Sequence, residues 1–156
     1  MRTYVVSSIA ALLVGVTVNA GLARVGAAST TVEAEARAFM QGYGDDLRLH
    51  RREALVDRYS RRGAFFPSGS SGRPLSFEAI GVLYRSPSQW KGPGAFEWRD
   101  LSYEVLGSDA AVVVGAFLWR ETSKPEATEF SYSNLLVRES GRLRIRMEHE
   151  AAKARK

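Results

Sequence analysis

Gly141-Arg-Leu-Arg-Ile-Arg-Met-Glu-His-Glu150 alternates apolar and charged side chains with a period of two, the pattern of a strand with one face on a core. Thr128 to Arg138 reads as a second strand, joined to the first in an antiparallel meander at Ser140-Gly141. Ala110 to Arg120 is a third, more continuously apolar, as expected of a central strand covered on both faces. Upstream, Leu101, Tyr103 and Val105 alternate with Asp100, Ser102 and Glu104. Strict alternation on the last strand puts Leu143, Ile145, Met147 and His149 on the core face, and Arg144, Arg146, Glu148 and Glu150 on a polar face, solvated or paired with another subunit. Every helical signal lies before these four strands. That order predicts an α+β domain in which one antiparallel sheet buries a face against a helical layer.

Thr30-Thr-Val-Glu33 has the spacing of a capping box and predicts the start of a first helix. Its stripe, Ala36, Phe39, Met40, Tyr43 and Leu47, keeps one side on the core. Gly42 and Gly44 each cost this helix about 1 kcal/mol relative to alanine unless close packing needs the space. A short second helix is expected over Glu53 to Tyr59, with Ala54, Leu55 and Tyr59 inward. Ala64-Phe-Phe-Pro67 reads as a short strand leaving into the Gly/Ser/Pro loop that ends at Pro74. Ser76 caps a third helix, with Leu75 and Ile80 as a hydrophobic staple and Phe77, Ile80, Leu83 and Tyr84 as the buried stripe.

At the amino terminus, Met1-Arg2 supplies a positive charge, Val5 to Val18 an apolar run, and Ala23-Arg-Val-Gly-Ala27-Ala28 a small-residue stretch. The run is shorter than the roughly 20 residues of a membrane span, so residues 1–27 read as a secretory signal cut after Ala27. A retained anchor is the alternative, disfavoured by Thr17, Asn19 and Arg24. The expectation is export to the periplasm or the extracellular space. Residues 28–156 then form one domain large enough for its own core, without cysteine.

Without Arg2 and Arg24, 20 basic residues stand against 17 acidic, a net +3, interleaved along the chain. The one dense basic cluster, Lys153-Ala-Arg-Lys156, is the terminus, where a solvated tail is the ordinary reading. Nucleic acid is therefore not the expected partner, since its binders gather charge into a stripe. Nor, after signal removal, is a membrane. No Gly-rich phosphate loop, nucleophile elbow or dinucleotide fingerprint is present. With two histidines and no thiolate, neither a metal nor a cofactor is expected.

Three helices, a short strand between the second and third, and four long strands make the layout of the nuclear-transport-factor-2-like α+β cone. Glu53-Ala-Leu-Val-Asp-Arg-Tyr59 before Ala64-Phe-Phe66, followed by Leu75-Ser-Phe-Glu-Ala-Ile80, resembles the SnoaL-like polyketide-cyclase and ketosteroid-isomerase branches of that superfamily. The ending Gly141 to His149 is similar to that of small bacterial members, with Leu143 where tryptophan is usual. The resemblance implies a cone-shaped curved sheet on three helices and a homodimer formed through the sheet. It puts Tyr43 at the tyrosine that donates to an oxyanion in the isomerase branch, and Asn134 at that branch's protonated acid. The general-base carboxylate after the first strand is here replaced by Phe66-Pro67, which disfavours steroid isomerisation by the family mechanism.

His149 is then the remaining base, near neutral in its titration, although a lone histidine on an apolar face is more commonly a core residue. With Tyr43 and Asn134 it would make a donor, donor, base constellation. Phe66, Tyr84, Trp98, Trp119 and Tyr132 are expected to line the cone with these three, suiting a small, mostly apolar metabolite that bears one or two oxygens. Trp90, in Gln-Trp-Lys-Gly-Pro-Gly, is either a lid or folded onto the surface. Asp45 and Asp46, near the cone's mouth, are expected to be solvated. The leading expectation is an exported binding module. An isomerase, cyclase or dehydratase acting on a carbonyl compound is the first alternative, and an interaction scaffold pairing through Arg144, Arg146 and Glu148 the second.

Overall fold

The computed structural model describes residues 18–67 and 72–153, with side chains in the first helix from residue 31 onward. Three helices, α1 (Val18–Arg48), α2 (Arg52–Asp57) and α3 (Phe77–Arg85), precede four strands, β1 (Ala95–Val105), β2 (Ala110–Arg120), β3 (Thr128–Glu139) and β4 (Arg142–Ala152). The strands form one antiparallel sheet in the order β1-β2-β3-β4. The fold is α+β.

The expected helix start at Thr30 is corrected: α1 runs without interruption from Val18 through the capping-box residues. The segment ahead of Thr30 is rich in alanine, the strongest helix former, and holds no proline to stop it. Most of the expected leader, residues 1–17, lies outside the described residues, as do 68–71 of the loop and 154–156 of the tail. Among the described residues no helix is long and apolar enough to cross a membrane. Val32 extends the buried stripe of Ala36, Met40, Tyr43 and Leu47. Both glycines of α1 are there for close approach. A Cβ at Gly42 would stand 2.6 Å from Arg58 Nη2, and one at Gly44 2.7 Å from Trp98 Nε1. Through those gaps Arg58 reaches Asp46 (2.7 and 2.9 Å), and Trp98 donates to Met40 O (3.0 Å). Asp46 is thus buried in an ion pair rather than solvated.

At α3 the Ser76 hydroxyl accepts from the Ala79 amide at 3.2 Å, the capping bond expected of it. The predicted Ala64–Phe66 strand is reduced to bridges: Ala64 pairs with Leu75, while Tyr59 and Phe65 run parallel to Ile145 and Met147 on the open edge of β4.

Two β-bulges decide which side chains face the helices. In β1 the register shifts between Arg99 and Ser102, where Asp100 takes φ of 48°. Before the shift Phe96 and Trp98 are the inward residues; after it Leu101, Tyr103 and Val105 are. One extra residue therefore keeps both stripes on the same face. Gly115 on β2 leaves room for it, since a Cβ there would lie 2.8 Å from Leu101 Cδ2 and 2.9 Å from the carbonyl oxygens of Arg99 and Asp100.

The second shift falls on β4 opposite Leu135 and Leu136, which pair with Met147 and Ile145 and leave Arg146 as the extra residue. Arg146 turns to the sheet edge and donates to the carbonyls of Arg62 (2.9 Å) and Gly63 (2.5 Å). Beyond it the alternation is reversed. Leu143 and Ile145 face inward as expected, but Glu148 and Glu150 follow them, opposite the inward residues Asn134 and Tyr132. The expected polar assignment of Glu148 and Glu150 is corrected, and so is the core assignment of Met147 and His149. The covering expected on both faces of β2 is incomplete among the described residues: Ala111, Val113 and Phe117 are buried on the inner face and Ala116 on the outer, where Val114 is 49% exposed.

Candidate functional site

A cavity of about 320 Å³ opens between the inner sheet face and the helices. Tyr43 and Leu47 of α1 and Leu83 and Tyr84 of α3 form its helical wall; Phe96, Trp98, Phe117, Trp119 and Phe130 of the first three strands form its sheet wall. Phe66 and Trp90 close the sides. The rings support one another: Phe96 and Trp98 meet edge to face at 4.7 Å, and Phe117 stacks on Phe130 at 5.0 Å. Trp90 is half-buried against Tyr84 (5.3 Å), with the Arg52 guanidinium 5.1 Å from its ring, so this residue is part of the wall.

Glu148 and Glu150 supply the cavity's acidic end. Glu148 is only 3% exposed and accepts from three tyrosines: Tyr43 at 3.1 Å and Tyr132 at 2.8 Å on Oε1, and Tyr59 on Oε2. The hydroxyls are also linked to one another, Tyr59 to Tyr84 at 2.7 Å and Tyr43 to Tyr59 at 3.1 Å. Burial pushes the Glu148 carboxyl above its ordinary value, and the donated hydrogen bonds from Tyr59, Tyr132 and Tyr43 oppose that rise. All four tyrosines are held above theirs, first by burial and then by the Glu148 charge, so they remain protonated donors. Glu150 is pushed up to about 8, chiefly by desolvation and further by Glu148. Glu150 also keeps solvent contact at the rim, so water moderates that rise while leaving its direction.

A larger, more open concavity of about 490 Å³ lies at the other end, against Phe39, Asp46, Asp57, Arg58 and Arg144. Two ion pairs line it, Asp46 with Arg58 and Asp57 with Arg144 (3.1 Å), which reads as structural. The aromatic cavity is the candidate site because its carboxylates have no such partner.

Of the residues expected at the site, the cavity brings together Tyr43, Phe66, Tyr84, Trp98 and Trp119. Tyr132 and Asn134 stand one layer behind the wall. Asn134 is fully buried and donates to Tyr132 Oη (2.8 Å) and Met40 Sδ (3.4 Å), while its Oδ1 has no partner. His149 pairs with Ser133, on the opposite face from Glu148. The three groups of the expected constellation therefore do not converge: Tyr43 is in the wall, Asn134 behind it and His149 across the sheet. Glu148, Glu150 and the Tyr59 donor were not anticipated. Only the β4 bulge turns the two glutamates inward, and no residue type announces a bulge.

A curved meander over three helices with a cavity between them is the nuclear-transport-factor-2-like fold, and the chain has that fold. A nuclear-transport-factor-2-like protein of unknown function from Pseudomonas putida KT2440 superposes with a TM-score of 0.68 at 18% identity, covering 80% of this chain and 89% of that one. A candidate scytalone dehydratase from Novosphingobium aromaticivorans DSM 12444 gives 0.62 at 11%, covering 83% and 89%. A candidate ketosteroid isomerase from Parabacteroides distasonis ATCC 8503 gives 0.60 at 14%, covering 76% and 85%. No protein-family model and no curated protein matches the chain. At such identities the likeness carries the fold and not a reaction.

Proposed function

We propose that the chain is a small-molecule-binding domain that holds a mostly apolar ligand in the cone, with the ligand's polar end at Tyr43, Tyr84 and the two glutamates. The observation that supports this most is the cavity of about 320 Å³, walled by aromatic rings and polar at one end. All three tryptophans of the chain, Trp90, Trp98 and Trp119, lie in that wall. Their intrinsic fluorescence should therefore change saturably when an apolar aromatic probe such as 1-naphthol is titrated in, and Trp98→Ala should weaken that titration. An unsaturable response in the wild-type chain would count against the reading.

The enzymatic alternative, an isomerase, cyclase or dehydratase on a carbonyl compound, requires a base against the ligand. His149 is across the sheet, so Glu150 is the group the geometry offers for that role. Homodimerisation through the sheet is supported by the open apolar position Val114 on the outer face; light scattering before and after Val114→Asp tests it. Export with cleavage after Ala27 completes the proposal, and the amino-terminal sequence of the exported protein tests it.

A further inference from the structure

We infer that the ligand is an organic cation, an ammonium group carried on an apolar body, with the positive nitrogen lodged between Glu150 and the aromatic wall. This rests on the binding reading above and names the chemistry of its ligand. Two carboxylates share one end of the cavity, and among the described residues neither is joined to a lysine, an arginine or a histidine. The titratable groups facing them are Tyr43 from α1, Tyr59 after α2, Tyr84 from α3 and Tyr132 from β3, all held as neutral phenols. Among the described residues nothing in the cavity balances the negative charge, so an anionic ligand end is repelled by the carboxylates.

Hydrogen bonding divides the two glutamates by role. The Glu148 oxygens already take three tyrosine protons, so this carboxylate supplies field and is not in want of a donor. Glu150 carries no such bonds and reaches the cavity mouth, where an ammonium N–H or a methylated nitrogen can approach it. Apart from Leu47 and Leu83 the remaining walls are aromatic, Trp98 and Trp119 among them, and ring faces attract a cation through their quadrupoles. A neutral apolar body then fills the space that the rings enclose. Desolvation first, and the Glu148 charge second, push the Glu150 carboxyl up to about 8, the direction expected of a carboxylate with no cation beside it.

The test uses two probes of one shape: benzyltrimethylammonium, and neopentylbenzene, in which carbon replaces the charged nitrogen. Neither probe titrates. Tryptophan fluorescence of the folded chain should report binding of the cation about tenfold tighter than the neutral isostere at about pH 9, above the Glu150 midpoint. That preference should shrink as pH falls through about 8, because protonation of Glu150 removes the charge. Glu150→Gln should weaken the preference and abolish its pH dependence. Because Glu150 stands at the rim, this variant leaves the core intact, whereas Glu148→Gln disturbs the three tyrosine bonds. Equal affinity for both probes would overturn the cation and keep the cavity. Failure of both probes to bind would overturn the binding reading itself.

Discussion

Tyr59 shows how much one hydroxyl can decide. Its ring is fully buried, and its oxygen links Glu148, Tyr43 and Tyr84. Tyr59→Phe keeps the packing and deletes a donor to a buried carboxylate, for which the expected cost is about 1–3 kcal/mol in urea denaturation. A loss below about 0.5 kcal/mol, the range of an indifferent surface change, would contradict the network. Glu150 gives the pH prediction. Burial, and then the Glu148 charge, push its carboxyl up toward about 8 from the ordinary 4.5, so the native state holds more protons between those values and stability falls as pH rises across them. Solvent at the rim makes the slope shallow. Thermal melts across that window should show Glu150→Gln flatter than the wild type; parallel curves would contradict the assignment. At this scale Tyr43, Tyr84, Trp98 and Trp119 were legible in the sequence as aromatics with a polar tip on inward stripes. The depth of Asn134 was not legible, because alternation tells which face a residue takes and not which neighbour covers it.

Among the elements, the strands and α3 could be read from period and caps, and what escaped was their irregularity. A single bulge residue, Arg146, exchanges the faces of everything after it on β4, which is why a strict period of two sent His149 inward and Glu148 outward. The bulge in β1 did no such harm, since the alternation expected there begins only at Asp100. Gly115 is the partner that admits it. Gly115→Ala places a methyl 2.8 Å from Leu101 Cδ2 and 2.9 Å from two backbone oxygens, and backbone cannot step aside cheaply. The expected loss is about 1–3 kcal/mol by chemical denaturation. A neutral outcome would mean that the β1 bulge is not held as described. α1 failed differently: a capping box marks where a helix is able to start, and the alanine-rich stretch before it lets the helix begin earlier.

For the whole molecule, three layers of cause lead to one site. Helices α1 and α3 bring Tyr43 and Tyr84 over the sheet, the glycines of α1 let Arg58 and Trp98 pack tightly against it, and the β4 bulge aims two carboxylates into the aromatic space left between them. The α+β class was legible because four strands follow the helices, and the cone because its aromatics recur on inward stripes. The acidity of one end was not, since it depends on the register of the last strand alone. Carbon-13 titration of the glutamate side-chain carboxyls, with Glu150→Gln for assignment, addresses that point directly. Two glutamates should titrate above the ordinary 4.5, one of them at about 8 and missing from the variant. If every glutamate titrates at or below 4.5, the carboxylates face water and the account is wrong.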